Sequence, residues 1–208
     1  MRIALVGFAA LAVLVGGCSL LSPRHDPSRF YTLAPRPPAA RAGASTANLS
    51  VVVGPVTLPA YLDRNEVAVR VSPSELKYAL TERWAEPLVQ NFTRVLIENL
   101  GHALGSERVT GIVNATTPTP DYSVEVVVVR FEAGANGRAE ATMRWAVRDK
   151  ARKIVRIRQS QHDRPATAAS VEGGVDALSA ALGDLADEIA EVLRELAAAE
   201  AVSPRARS

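Results

Sequence analysis

The sequence is poor in the residues on which most catalytic and metal sites depend. It contains one cysteine, Cys18, which excludes an internal disulfide framework and a metal site built on several cysteines. Its three histidines, His25, His102 and His162, are far apart and lack the spacing of metal ligands. No GxxxxGK[ST] loop, GxSxG elbow, HExxH pair or GxGxxG turn is present. We therefore expect no metal site, no catalytic residues and no enzymatic activity.

A strong excess of charge of one sign is also missing. The 24 basic residues, only three of them lysine, nearly cancel the 22 acidic ones and leave a net charge of +2. A chain with so little net charge lacks the field that attracts proteins to nucleic acid, so we expect no nucleic-acid partner. Hydrophobic residues make up 48% of the 208 residues, which is ordinary for one globular domain with appendages.

The first eighteen residues have the pattern of an exported lipoprotein. A positive start, Met1-Arg2, precedes an uncharged run from Ile3 to Gly17, which is shorter than the about 20 apolar residues of a membrane-spanning helix. The run ends in small residues directly before Cys18 and resembles a bacterial lipobox, with Val15 where leucine is more common. This resemblance implies that residues 1–17 are a signal peptide that is removed. It also implies that diacylglyceryl and N-acyl groups, such as palmitate, are attached to Cys18.

The lipid anchor has one alternative, an ordinary secreted protein with a stray cysteine near the cleavage site, although unpaired cysteines are unusual in exported chains. Several acyl chains hold a protein firmly on a membrane, because each buried methylene contributes about 0.8 kcal/mol. Ser19 follows the cysteine where an inner-membrane retention signal would have aspartate. The resemblance therefore points to the periplasmic face of the outer membrane, and we expect no cofactor besides the acyl groups on Cys18.

Composition divides the mature chain into a tether, one domain and a tail. Residues 18–47 are rich in proline and alanine without an apolar period and are predicted to be an extended tether, in which Phe30–Leu33 is a candidate edge strand. Residues 48–200 are long enough for one hydrophobic core. Residues 201–208 are polar and are predicted to be a disordered tail.

Periodicity predicts a single-domain α+β sandwich, in which two long helices cover one face of a mixed, mostly antiparallel sheet. Alternating or β-branched runs predict strands at 49–53, 66–71, 75–80, 122–131, 138–149 and 154–161, the last three forming a meander. Helical spacing predicts one helix that starts between Arg83 and Glu86 and stops at Gly101, and another over 170–199. The seam of the second helix fits either a coiled coil or packing on a sheet, and we favour packing.

Three details of the strands are expected from the pattern. Gly54-Pro55 should stop the first strand. The second strand should present Val67, Val69 and Val71 on one face. Val126–Val129 should be apolar on both faces of a central strand.

Two groups of residues are candidates for contact with a partner or with lipid. The first is a cationic outward face on the meander, made of Arg130, Arg144, Arg148, Arg156 and Arg158, of which Arg144 and Arg156 are the main candidates. This face is either simply solvated or contacts anionic headgroups or the acidic surface of a partner. The second is Tyr61 with Leu62 in a proline-marked loop, which is either an exposed hydrophobic contact or a loop packed against the domain.

The order of these motifs resembles the PqiC (YmbA) family, the auxiliary lipoproteins of MCE-type ABC transporters. The resemblance covers the chain from about Phe30 to Leu196 and ends in the long amphipathic helix. It rests on the lipobox, on Phe30-Tyr31-Thr32-Leu33, on Val52-Val53-Gly54-Pro55-Val56, on Leu58–Arg64 and on Arg83–Leu88.

The resemblance implies an outer-membrane lipoprotein in the periplasm that does not hydrolyse ATP. Its partners would be an MCE-domain protein and the ABC permease and ATPase of a system that moves phospholipids or other hydrophobic molecules between the inner and outer membranes. A homo-oligomeric ring is compatible with this family. A structural or assembly lipoprotein that binds an outer-membrane barrel or peptidoglycan would share the anchor, the tether and the domain, so it is the alternative.

Overall fold

The computed structural model of the chain describes residues 26–38, 46–111 and 119–202. The predicted signal peptide, Cys18 and residues 203–208 lie outside these ranges. The described helices are α1 (Leu88–Leu104) and α2 (Val171–Val202), with a short 3-10 helix at Ala60–Leu62. The described strands are β1 (Arg29–Tyr31), β2 (Val51–Thr57), β3 (Glu66–Ser72), β4 (Glu75–Trp84), β5 (Val109–Gly111), β6 (Tyr122–Gly134), β7 (Arg138–Arg148) and β8 (Ile154–Pro165).

β6 organises the sheet because it has neighbours along both of its edges. β7 pairs with one edge of β6 in antiparallel orientation, and β8 pairs with β7 in the same way. The other edge is shared, since β2 pairs with the first half of β6 and β3 with its last residues, both in parallel orientation. β5 lies beyond β2, and β4 and β1 lie beyond β3. Parallel and antiparallel pairings both occur, but the longest ladders are antiparallel, which confirms the predicted mixed sheet.

Both helices pack on the same face of this sheet and share one core with it. Phe92 of α1 meets Phe131 of β6 edge to face, with ring centroids 5.3 Å apart. The seam of α2 is buried at Val175, Leu178, Leu182, Leu185, Ile189 and Val192. The inward side of β7 is buried as predicted, at Ala139, Ala141, Met143, Trp145 and Val147. The helix-on-sheet interpretation of the long helix is therefore confirmed.

The boundaries of α1 differ from the prediction at both ends. β4 continues to Trp84, because its last three residues pair with β1, and the helix therefore starts only at Leu88, directly after Pro87. At the other end the helix passes Gly101 and stops at Gly105, whose φ of 63° is in the left-handed region that glycine adopts without strain. The spacing of apolar residues indicates neither the pairing of β4 with β1 nor the residue at which the helix ends.

The strand details also need correction. β2 continues past Gly54-Pro55 to Thr57 through a register shift, because an irregularity can accommodate a residue without an amide hydrogen. Register shifts in β3 break its alternation, and Val71 is exposed. Val127 and Val129 are also exposed, because the helices cover only one face of β6.

Residues 29–38, which the composition assigned to the tether, pack on the domain, and the edge strand predicted at Phe30–Leu33 is observed as β1 at Arg29–Tyr31. Leu33 is only 1% exposed, and its amide donates a hydrogen bond to Asn91 Oδ1 at 2.9 Å. The amide of Ala34 donates to Ser179 Oγ at 3.1 Å, and that of Arg36 donates to Asn99 Oδ1 at 2.7 Å. Polar side chains of both helices thus satisfy the backbone of this segment, so residues 29–38 belong to the packed domain that the sequence placed at 48–200.

The side chain of Arg36 fastens the same segment to α2. Its guanidinium pairs with Asp184 at 2.8 Å and with Asp187 at 2.6 Å, above Gly183, where a Cβ would lie 2.7 Å from guanidinium atoms. Burial alone would raise the pKa of Asp184, but hydrogen bonds from Arg36 and Arg164 hold that pKa below its usual value. The ionised Asp184 therefore stabilises the fold above the ordinary pKa of an aspartate. This stabilisation is lost as the pH falls through the lowered pKa of Asp184.

The packing of this segment is tested by Leu33→Ala. We expect the substitution to lower the free energy of unfolding by about 2–5 kcal/mol, because it leaves a cavity beneath the segment. Thr32→Ala, at an exposed neighbouring position, is the matched control and should change it by at most about 0.5 kcal/mol. Urea denaturation of the non-lipidated Cys18→Ala chain measures both. Equal stabilities for the two variants would show that the segment is not part of the core.

Candidate functional site

The side of the sheet that faces away from the helices is the candidate partner surface. We call it the open face and define it by the side chains of β6, β7 and β8 that point away from α1 and α2. Val127, Arg144 and Gln159 lie side by side across the three strands in its central row. In the adjacent row Ala146 lies beside Ile157. Because cross-strand partners point to the same side, the register alone brings these residues together.

The open face carries apolar side chains that the fold leaves in solvent. Val127 is 49% exposed, Val129 is 44% exposed and Ile157 is 67% exposed. Isolated exposed apolar residues are ordinary, but several that share one sheet face are typical of a contact surface. Val127, Val129 and Ile157 form the apolar patch of the open face, which is otherwise mostly polar or charged, and a partner can cover this patch.

Most arginines of the open face are neutralised by a neighbouring carboxylate. Arg130 pairs with Glu140, and Arg148 pairs with Glu125 at 2.7 Å. Arg144 differs from them, because its Nε donates to Gln159 Oε1 at 3.0 Å and no carboxylate among the described residues pairs with it. An uncompensated positive charge thus lies in the middle of the apolar patch.

The predicted common cationic face is wrong for Arg156 and Arg158. Arg156 is the cross-strand partner of Val147, and Arg158 is that of Trp145, and both partners are buried on the helix side. The two arginines therefore point toward α2, where Arg156 approaches Glu195 at 3.8 Å. The long side chain of an arginine on the inward side of an edge strand can still reach solvent with its charged end. The presence of a charge in the sequence therefore did not indicate which face of β8 these arginines occupy. Arg144 and Arg156 lie on opposite faces.

The loop that carries Tyr61 and Leu62 packs against the sheet. Leu62 is buried in the core, and the carbonyl oxygen of Tyr61 accepts a hydrogen bond from the hydroxyl of Tyr78 at 3.2 Å. The hydroxyl of Tyr61 donates to the carboxylate of Glu132. Of the two interpretations left open by the sequence, the packed loop is the one observed.

Glu132 explains why this loop is held in place. Its carboxylate is 1% exposed and accepts two hydrogen bonds of 2.6 Å from the guanidinium of Arg70, in addition to the one from Tyr61. Burial and the hydrogen bond to Glu132 both raise the pKa of Tyr61, so its phenol stays protonated as a donor. The cluster joins β3, β6 and the loop. Sequence reasoning missed Arg70 and Glu132, and the only signal was a lone acidic residue near the end of an apolar strand.

Two of the three histidines, His102 and His162, lie against polar groups of the fold. His102 Nδ1 lies 3.1 Å from the carbonyl oxygen of Arg36, and His162 lies between Asp184 and Glu188 at 3.8 and 3.5 Å. Among the described residues, no three ligand-type side chains come together around a possible metal ion. Neither described helix combines the length and the hydropathy needed to cross a membrane. Cys18 lies outside the described residues, so its lipidation stays a prediction.

The cluster around Glu132 predicts two different losses of stability. Glu132→Ala leaves the guanidinium of Arg70 largely buried without its carboxylate and should lower the free energy of unfolding by about 3–5 kcal/mol. Tyr61→Phe removes one hydrogen bond but keeps the ion pair, so we expect a loss of about 0.5–1.5 kcal/mol. Urea denaturation at neutral pH distinguishes the two. A Glu132→Ala variant as stable as Tyr61→Phe would contradict this account of the ion pair.

The chain is similar to a known family of proteins. A family model described as "ABC-type transport auxiliary lipoprotein component" matches residues 31–190, which is more than half of the chain. The matched range runs from the end of β1 into α2 and so includes α1, the first part of α2 and the open face. No curated protein matches the sequence.

Two solved structures share the fold. The crystal structure of an uncharacterized protein is 20% identical, with a TM-score of 0.65, and the match covers 80% of this chain and 98% of that one. The crystal structure of a Xanthomonas campestris protein described under the family DUF330 is 18% identical, with a TM-score of 0.62, and the match covers 77% of this chain and 92% of that one. At these identities the likeness shows the fold alone.

Proposed function

Because the chain belongs to the family of ABC-type transport auxiliary lipoprotein components, we propose that it is a non-catalytic member of an MCE-type ABC system. In this proposal the system moves phospholipids or other hydrophobic molecules between the inner and outer membranes. The chain lies on the periplasmic face of the outer membrane and is held there by acyl groups on Cys18. The family match over residues 31–190 is the observation that carries the proposal.

The packing of residues 29–38 limits the distance between the domain and the membrane in this proposal. Arg29 is the eleventh residue after Cys18, and an extended chain spans at most about 3.3–3.6 Å per residue, which gives a limit of about 40 Å. A free tether up to residue 47 would have allowed roughly 100 Å. The domain therefore stays near its own membrane, and the MCE protein has to extend to meet it.

The open face supplies the proposed contact with that partner. It combines exposed apolar side chains, Val127 and Ile157, with the uncompensated charge of Arg144. Interfaces of this type bury an apolar centre and set partner choice through complementary charge. The matching surface on the partner is apolar and carries a carboxylate opposite Arg144.

The assignment to a transport system is tested by affinity purification of the tagged chain from membranes in mild detergent. We expect an MCE protein or its ATPase to co-purify and to be identified by mass spectrometry. Cys18→Ala, which removes the site of acylation, is the control and should lose this association. Recovery of only an outer-membrane barrel or cell-wall factors would overturn the proposal in favour of an assembly lipoprotein.

The contact through the open face predicts the effect of Arg144→Glu. Charge reversal at the centre of the patch should weaken binding to the purified MCE protein by about tenfold or more, equivalent to about 1.4 kcal/mol. Lys153→Glu makes the same change of charge at an exposed turn and should leave the affinity unchanged. Isothermal titration calorimetry measures both. Equal affinities for the two variants would place the contact elsewhere on the domain.

A further inference from the structure

The sheet ends in strands of very different length. β1 and β5 lie at one side with three residues each and cover only part of β4 and β2, whereas β8 forms the other side with twelve. Among the strands the structure describes, β8 pairs only with β7. The opposite edge of β8 therefore presents a row of backbone amide and carbonyl groups without strand partners. Natural sheets commonly limit such rows by keeping edge strands short, as at β1 and β5.

The outer edge of β8 is also regular. Its one register shift lies near its start, between the pairs formed by Val147 and Arg148, and from Arg156 to Pro165 the ladder with β7 is uninterrupted. Bulges that would twist the edge away are absent from this described stretch. A long regular edge is the geometry to which an extended segment adds as a further strand, because its main-chain groups already point outward at the correct spacing.

The side chains of β8 select the kind of segment that fits. The positions on the helix side are Arg156, Arg158, Ser160, His162 and Arg164. Carboxylates of α2 lie near four of these positions, whereas Arg158 has no carboxylate partner among the described residues. On the other side of the strand Ile157 belongs to the apolar patch of the open face. Among the described residues, the edge therefore has one uncompensated cation, Arg158, on the helix side and one exposed apolar side chain, Ile157, on the other side, where Gln159 and Gln161 follow.

A second copy of this chain does not suit this edge. Antiparallel pairing of two β8 strands would set the basic positions of one copy against those of the other in most registers, and like charges directly opposite each other are destabilising. A strand with acidic residues at alternate positions would compensate Arg158 and supply a second carboxylate to Arg156, which lies 3.8 Å from Glu195. Apolar residues between them would extend the patch around Ile157.

We propose that the outer edge of β8 binds an extended segment of another protein, in which acidic and apolar residues alternate, as an additional strand of the sheet. The acidic residues face Arg156 and Arg158, and the apolar residues continue the open face. This inference concerns a site separate from Arg144 and does not depend on which transport system the chain serves.

The proposal is tested by photocrosslinking in intact cells with the full lipidated chain. A photoreactive residue at Gln161, exposed on β8, should crosslink to another protein, and sequencing of the crosslinked peptide should show alternating acidic and apolar residues. Thr110, exposed on the short edge strand β5, is the matched control and should give no such product. A product with a second copy, a peptide without this alternation, or no product at Gln161 would each overturn the proposal.

Two kinds of variant separate strand addition from a general contact. Arg158→Glu should reduce the yield of the crosslink by at least about tenfold, because it opposes the acidic segment. Arg158→Pro and Gln159→Pro each remove one amide, and since successive amides of an edge strand alternate in direction, only one of them points outward. The variant that lost the outward-pointing amide keeps its hydrogen bonds to β7 and therefore its melting temperature. This variant should abolish the crosslink. If that variant crosslinks normally, the backbone edge is not the binding element.

If the MCE protein does not co-purify but the crosslink forms as expected, the transport assignment fails and the strand site stands. If the MCE protein co-purifies but Gln161 gives no product, the strand site fails and the transport assignment stands.

Discussion

The requirement that β6 bury one face along its whole length sets the form of this domain. At thirteen residues it is the longest strand described, and no single neighbour on its second edge matches its length. β2 and β3 therefore share that edge. β5 continues the sheet beyond β2, and β4 and β1 continue it beyond β3. α1 and α2 cover the face of β6 that carries its inward side chains, and the opposite face stays in solvent except at Glu132, which Tyr61 and Arg70 cover. The separation into a core side and an open face follows from this one strand.

Buried polar groups determine how the irregular segments join this framework. Asn91 and Asn99 of α1 and Ser179 of α2 would be costly in the core without partners, and the backbone of residues 33–36 supplies those partners. Glu132 has the same relation to the loop at Tyr61, because a buried carboxylate requires donors and Arg70 and Tyr61 provide them. In both cases an unpaired polar group on a regular element selects the position of a segment that has no regular structure of its own.

These attachments have consequences for a lipid-anchored protein. In the proposed anchoring through Cys18, the packing of residues 29–38 limits the distance between the domain and the membrane. The open face and the outer edge of β8 adjoin each other, so one partner can contact both. The charges there are largely paired, and the two arginines without a carboxylate partner among the described residues, Arg144 and Arg158, lie on opposite sides of the sheet. Surfaces of this kind suit the proposed role of a component that binds a partner and catalyses no reaction.

The α+β class, the meander, the long terminal helix and the inward row of β7 were predictable from the sequence, because each depends on a period that a single element repeats over many residues. The direction of Arg156, the exposure of Val127 and the continuation of β2 past Pro55 were decided only by the tertiary structure. They depend on which strands become neighbours and which face the helices cover, and local periodicity contains neither. The polar clusters around Glu132 and Arg36 join residues more than sixty positions apart, so only folding brings their charges together. Local pattern thus determined the elements of this protein, and long-range packing and the pairing of buried charge determined its surfaces.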